Sequence, residues 1–354
     1  MSLQRWITLL TFLFDINSIL IASLIKYESY NYRRNWPNRV GDCVGLAGIH
    51  CIDEVVALTR PSSLQKPGIL ELQEQGVKVI STDLSGSESV LTEILVETDV
   101  VISTIYGGSV MDEVPLINAS KAAGVKRYLP CFFATVASPK GALLLRDMKE
   151  DVLNHIKKIH QPFTVIDVGW WYQVNLPKLP SGRIDYAAME TADGISGDGY
   201  ACFNSLSRDL LSSFPTKLLK QIVDLILRPD LVIGEDHSVQ GPRISDYLSH
   251  IATYVPYIGQ SKWHIAKIES TAPSPDSVEF ITLAQYQYWY SCCIRGDNTP
   301  KYATFLGYLN TQELYPHFER RGFKPYVQEV LDGNGEMVYE HLKDLPAASV
   351  DKKA

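Results

Sequence analysis

The sequence predicts an α/β protein: a doubly wound parallel sheet followed by a smaller α+β domain. Three observations carry this. Short apolar runs of about six residues recur between residues 53 and 168. Each is followed by a segment with helical spacing of its apolar positions, the alternation that builds a parallel sheet covered on both faces. After Gly169 the alternation stops and the pattern turns irregular and helical. With 354 residues the chain is long enough for two domains.

The first runs are Glu54–Thr59 (EVVALT) and Val77–Thr82 (VKVIST), with a helical stretch at Leu70–Gln75 between them. Glu88–Glu97 is helical, and Asp99–Ile105 (DVVISTI) is a strand. Val114–Ala123 is a helix closed by Gly124, a residue suited to the left-handed position after a helix. Lys126–Cys131 is a strand, Gly141–His160 a long helix and Phe163–Val168 a further strand. Crossovers of this kind are right-handed and generate a doubly wound sheet. Beyond it, Leu179–Asp185 and Ala272–Asp276 read as loops. Leu206–Arg228 (broken by Pro215), Ile244–Tyr254, Thr299–Leu306 and Tyr326–Leu331 read as helices. Leu283–Ile294 is rich in Tyr and Trp, and residues from Pro346 read as a frayed tail.

Hydrophobic residues make up 45% of the chain and charged ones 21%, which supports a packed core and argues against wholesale disorder. The net charge of −7, with no Lys/Arg block, argues against a nucleic-acid partner. The six cysteines show no paired C-x-x-C spacing, so no metal site is expected and the thiols read as reduced. Trp6–Ile25 has the length of a membrane span, but Asp15, Asn17 and Ser18 lie in its middle. A central Asp costs roughly 2.5–3.5 kcal/mol on insertion, so a span is disfavoured. A membrane anchor with the body cytoplasmic stays open beside a buried strand–helix segment. The expected compartment is the cytoplasm, and the expected state a monomer or homodimer.

In doubly wound sheets ligands lie beyond the carboxyl ends of the strands. That rule selects Arg60, Ser62 and Ser63 after the first run and Asp83 after the second. It selects Thr104, Tyr106 and Gly107 after the third, then Phe132 and Phe133, and last Trp170, Trp171 and Tyr172. Arg60 stands where an acidic residue would bind the ribose hydroxyls of NAD. A cation there accommodates the 2′-phosphate of NADP instead; the alternative is a surface Arg at a strand end. At 100° per residue, Leu145, Val152, Leu153 and Ile156 lie within about 60° of Lys149. Lys149 thus sits in the apolar stripe of its helix, while Asp147, Glu150, Asp151, Asn154 and Lys158 occupy the other side. A desolvated lysine can serve acid–base chemistry or contact a nicotinamide ribose; the alternative is a stem that snorkels to water. Leu145 stands four residues before Lys149, so a Tyr-x-x-x-Lys motif is absent there.

The segments ALTRPSS (57–63), GVKVISTDL (76–84), DVVIST (99–104) and AAGVKRYLPCFF (122–133) together resemble fungal NmrA-like proteins, relatives of isoflavone and phenylcoumaran benzylic ether reductases. So do RDMKEDVLNHIKK (146–158), PFTVIDVGWWYQVNLPKLPSGRIDYA (162–187) and the stretch 286–316. The resemblance implies a Rossmann-like domain that binds NADP(H), and a small C-terminal substrate domain. It implies Lys149 as catalytic lysine and cofactor contact, and Arg60 with Ser62 and Ser63 as holders of the 2′-phosphate. It places Thr104, Ile105, Tyr106, Tyr172, Gln173, Val174 and Asn175 along the cleft. Phe133, Trp170 and Trp171 would line an apolar substrate pocket; ordinary core packing is the alternative for each.

Two departures stand out. The family opens on a strand running into G-x-x-G-x-x-G, whose backbone N–H groups meet the pyrophosphate. Gly41, Gly45 and Gly48 in VGDCVGLAGIH lack that spacing. Residues 199–243 also depart from the family. The expected division is therefore 1–52, an atypical segment replacing the first strand and glycine loop; 53–190, the dinucleotide-binding domain; 191–345, the substrate domain; and 346–354, a tail. Three functions follow in order: an NADPH-dependent reductase of an aromatic or polyketide-like small molecule, an NADP-sensing regulator, and a cofactor-independent isomerase or cyclase.

Overall fold

The computed structural model describes residues 22–27, 52–74, 77–171, 205–206, 280, 283–284, 287–288, 290–310 and 328–334. They divide between two compact units. The first holds 22–27, the described residues of 52–131, and 151–164; the second holds 132–150, 165–171, 205–206 and everything described from 280 on.

The first unit is built on a five-stranded sheet: β1 (Ala22–Tyr27), β2 (Ile52–Thr59), β3 (Lys78–Ser81), β4 (Val100–Ser103) and β5 (Arg127–Leu129). Their order across the sheet is β3-β2-β1-β4-β5. β2 pairs parallel with β3, and β4 parallel with β5, as the alternating pattern predicts. The continuous apolar runs reflect burial on both faces: all four residues of β4 and all three of β5 are buried. β3, at the edge, is exposed at Lys78 and Ser81 and half-buried at the two residues between them.

The prediction of a wholly parallel sheet is corrected by β1, which is antiparallel to both β2 and β4. It overlaps the end of Trp6–Ile25, the apolar stretch for which a buried strand–helix segment is one of the two expectations. The physical reason lies in the connection. A parallel β1–β2 pair needs a crossover of a dozen or more residues, usually a helix. An antiparallel return needs no such crossover. Tyr27 stands opposite Ile52, and Ala22 opposite Leu58 and Ser103. The chain therefore leaves β1 at the edge where β2 begins, not at the edge where β2 and β4 end.

Helices α1 (Pro67–Glu74), α2 (Glu88–Leu95) and α3 (Glu113–Ala122) follow the strands with ends within three residues of expectation. In α2 the buried positions are Leu91 and Leu95, one turn apart. Gly124 ends α3 at φ +76°. The Val125 N–H reaches back to the Ser120 carbonyl at 3.0 Å, the bond that satisfies an orphan carbonyl at a helix end. α4 (Leu144–Lys158) starts three residues later than predicted. Gly141 has φ +81° and so cannot be helical, and its N–H is held by the Asp147 carboxylate at 3.0 and 3.2 Å. The strand expected at Phe163–Val168 is reduced to one parallel bridge, Tyr128 to Phe163. It goes no further because the Val168 and Gly169 N–H groups both turn to the Ala134 carbonyl at 3.0 Å.

In the second unit, residues 132–136 and the start of α4 are clasped by the C-terminal stretch. Asn298 Oδ1 accepts from the Val136 N–H at 3.2 Å, and Gln287 Oε1 from the Leu144 N–H at 2.8 Å. The second contact satisfies one of the free N–H groups at a helix start. α5 (Pro300–Phe305) has Thr299 as its cap, accepting from the Tyr302 N–H at 3.3 Å, with Pro at its first position. Its Ala303 joins Val136 and Tyr308 in a small core. A π-helical turn covers Tyr290–Arg295 within the aromatic-rich segment, and residues 328–331 are helical as expected. Leu206, expected to open a helix, lies instead in β7 (Ser205–Leu206), which pairs parallel with β6 (Trp170–Trp171). The loops at Leu179–Asp185 and Ala272–Asp276, the rest of Leu206–Arg228, the helix at Ile244–Tyr254 and the tail from Pro346 lie outside the described residues. Among the described residues no helix is long and apolar enough to cross a membrane.

Candidate functional site

The first unit gathers most strand-end candidates at the carboxyl edge of its parallel strands. Arg60 follows β2 directly and is half-buried. Its Nη2 pairs with Asp112 Oδ2 at 2.6 Å, with both side chains more than a third exposed. Ser62 is exposed and Ser63 is buried, both in a 3-10 turn, Pro61–Ser63. The Ser63 N–H donates to the Arg60 carbonyl at 2.9 Å.

Lys66 is a residue the sequence reading missed. Partial burial pulls its ammonium below the ordinary lysine range, and the positive charge of Arg60 pulls it further. Arg60 therefore acts on the charge of Lys66 just past β2, while its own guanidinium pairs with Asp112. The signal was present as the next cation in RPSSLQK, but without a spacing rule to select it.

Asp83, past β3, is exposed. Its Oδ1 accepts from the Ser85 N–H at 3.0 Å and the Ser85 hydroxyl at 2.8 Å. Those bonds hold its carboxyl below the usual range, and Arg60 contributes to the same effect. Thr104 and Ile105 are buried after β4, and the Ile105 carbonyl accepts from the Cys131 thiol at 3.0 Å. Tyr106 is half-buried and precedes the 3-10 segment Gly107–Asp112. Beside these loops Glu113 is fully buried. It accepts from the Tyr128 hydroxyl at 3.0 Å and the Cys131 N–H at 3.2 Å. Burial, and then the Glu113 charge, pushes the Tyr128 phenol well above its ordinary value.

The second unit holds Lys149, 7% exposed, as its place in the apolar stripe predicts. Val152, Leu153 and Ile156 of the same face are also buried. Its Nζ donates to the Phe132 carbonyl at 2.5 Å and stands 5.8 Å from the Phe132 ring centroid. Glu150, assigned to the wet face, is in fact buried. The reason is Arg146 one turn earlier, whose Nε donates to Glu150 Oε1 at 2.8 Å. Arg146 Nη1 donates to Asp167 Oδ2 at 2.7 Å, and Nη2 to the Tyr308 hydroxyl at 2.7 Å. Burial works to lower the Arg146 pKa, but Asp167, Tyr308 and Glu150 outweigh it and raise it on balance. Arg146, Asp167 and Tyr308 are further residues the sequence reading missed. Phe133 is half-buried in this unit, and Trp170 and Trp171 form β6. Tyr172, Gln173, Val174 and Asn175 lie outside the described residues.

A family model described as NmrA-like matches residues 50–195. An asnovolin J 5′,6′-dehydrogenase of Aspergillus novofumigatus is 35% identical over 299 residues, covering 79% of this chain and 88% of that protein. An isoflavone reductase homolog of Nicotiana glauca is 34% identical over 139 residues, covering 36% of this chain and 43% of that protein. Among solved structures, a leucoanthocyanidin reductase–NADPH complex from Vitis vinifera superposes with a TM-score of 0.57. It is 17% identical and covers 78% of this chain and 91% of that one. Pinoresinol-lariciresinol and phenylcoumaran benzylic ether reductases give a TM-score of 0.54 at 19% identity, over 77% and 89% of the two chains. These likenesses establish the reductase-type Rossmann fold, and the extent of the fungal match shows that the chain belongs to the NmrA-like family.

Proposed function

We propose that this protein is an NADPH-dependent oxidoreductase acting on a hydrophobic, aromatic or polyketide-like small molecule in the cytoplasm. The observation that carries the reading is Lys149: a single ammonium buried in the apolar face of a helix and held on a backbone carbonyl. The family membership and the dehydrogenase relative support it.

The residues past β2 fit the 2′-phosphate end of NADP(H). Arg60 and Lys66 supply two neighbouring cations, and Ser62 and Ser63 supply hydroxyls. When bound, NADPH would supply the hydride. Arg60 forms charge-assisted bonds to phosphate more readily than to a bare ribose, which sets NADPH above NADH. Lys149 holds a proton at Nζ and can move it toward an oxygen that gains charge. Thr104, Ile105 and Tyr106, with Tyr172 to Asn175, are proposed to line the cofactor cleft, and Phe133, Trp170 and Trp171 the substrate pocket. Asp83 is proposed as a further cofactor contact.

The reversed β1 favours a second reading. The chain leaves β1 at the edge where β2 begins, away from Arg60 and Thr104, so β1 does not end beside those strand-end residues. An isomerase or cyclase using the pocket without hydride transfer accommodates that arrangement. Calorimetry of NADPH and NADH against the full chain separates the two. NADPH-selective binding supports the oxidoreductase, and no binding of either supports the cofactor-free enzyme.

A further inference from the structure

Four polar side chains of the second unit are buried in one cluster: Arg146, Lys149, Glu150 and Asp167, with the Tyr308 hydroxyl between them. Arg146 uses its donors on three partners, Glu150, Asp167 and Tyr308. The Tyr308 hydroxyl in turn donates to Asp167 Oδ2. The guanidinium also lies 4.8 Å from the centroid of the Phe132 ring. Lys149 is three residues along the same helix from Arg146, and its Nζ donates to the carbonyl of the same Phe132. Phe132 is itself fully buried.

A buried ion pair of this kind is weak evidence for stability, because taking both charges out of water offsets most of their attraction. Here the cost is higher still: Asp167 Oδ1 is buried with no hydrogen-bond partner among the described residues. What the cluster does achieve is orientation. It ties α4, residue 167 and residue 308 to one aromatic ring. That ring's own carbonyl then sets where the Lys149 ammonium sits.

We propose that Arg146, Asp167 and Tyr308 are positioning residues for Lys149, acting through Phe132: the guanidinium fixes the ring, and the ring's residue presents the carbonyl that holds the amine. This rests on the reading of Lys149 as the reacting amine. Tyr308→Phe removes one hydroxyl that both accepts from Arg146 and donates to Asp167, with little change of volume. Phe132→Leu keeps the carbonyl and removes the aromatic platform.

The test is acetylation of Lys149 by an N-hydroxysuccinimide ester of acetate on the full chain, read by peptide mass spectrometry. Alkylation of Cys292 by iodoacetamide is the control, since that thiol is buried in the same unit. The expected result in both variants is a rise of about fivefold in Lys149 acetylation, the factor that weakening the Lys149 contact by the worth of one ordinary hydrogen bond supports, with Cys292 still protected. An unchanged Lys149 rate overturns the proposal. So does a parallel rise at Cys292, which would mark general loosening, and so does a rise in Tyr308→Phe without one in Phe132→Leu. The probe needs neither NADPH nor substrate. A selective rise beside failed NADPH binding would therefore keep the positioning and remove the oxidoreductase reading.

Discussion

Asp167→Asn is the perturbation whose size the structure fixes best. The Asp167 side chain is wholly buried and its Arg146 partner is 6% exposed, so the pair is not screened by water. Asparagine keeps the volume and can still accept one hydrogen bond, but it leaves the guanidinium facing a neutral group. Removing one partner of a buried pair costs roughly 3–5 kcal/mol. Glu150 stays within 2.8 Å of Arg146, so the low end, about 3 kcal/mol, applies. With a urea slope of about 3 kcal/mol per molar, the unfolding midpoint should fall by about 1 M. The assay is urea denaturation followed by far-UV dichroism. The shift belongs in whichever transition carries the second unit, should the two units unfold separately. The control is Asp112→Asn, which breaks the exposed Arg60 pair and should cost under about 1 kcal/mol. Equal shifts for the two variants would refute the reasoning, because burial would then not be what separates them.

Lys149→Ala should lower turnover by roughly 10²–10⁴-fold, the usual share of a positioned acid–base group, with the fold retained by dichroism. Unchanged NADPH oxidation would remove its catalytic assignment. Arg60→Ala should weaken NADPH by roughly tenfold or more and leave NADH nearly unchanged, read by calorimetry. An equal loss of both would refute its role at the 2′-phosphate. Burial raises the Tyr128 phenol well above its free value, and the Glu113 charge adds to it. The folded state therefore resists ionisation, and the stability this represents is present below about pH 10 and lost as pH climbs above it. Thermal melts from neutral to strongly alkaline pH should show that loss in the native chain and less of it in Tyr128→Phe. Equal slopes would show that another group governs the alkaline limit.

The elements that the sequence made legible are those with a local cause. Val100, Val101 and Ile102 are apolar because both faces of β4 are covered, and Gly124 marks the end of α3 because the chain needs a positive φ there. Lys149 stood out because helical spacing alone puts it among Val152, Leu153 and Ile156. The same spacing misplaced Glu150. Periodicity sorts charges outward, and it could not see that Arg146 one turn earlier draws the carboxylate in. Arg146 in turn is buried by Asp167 and Tyr308, far along the chain, and no local pattern connects them. The Arg60–Lys66 pair was hidden for a different reason: a loop has no period, so the second cation had no expected position.

Strand direction was the least legible feature, and the reason is physical. An apolar run such as ASLIKY reads the same in both directions as far as burial is concerned. The facing edges of β2 and β4 each present unpaired N–H and C=O groups that must be met by some strand. β1 meets them on both sides in reverse, with Ser23 between Ala57 and Ile102 and Leu24 between Val56 and Val101. The place of a strand in the sheet is thus secured by hydrogen-bonding demand and burial, whereas its direction is decided by the connection that follows. Phosphate binding depends on direction, because the turn leaving the strand must open at the edge where Arg60 and Thr104 stand. If the proposed phosphate contact at Arg60 and Lys66 holds, side-chain cations contribute to it, and the attraction of exposed cations falls with added salt. Measuring NADPH affinity at low and at high ionic strength tests this: a steep fall is expected, and a flat response would show that those cations do not hold the phosphate.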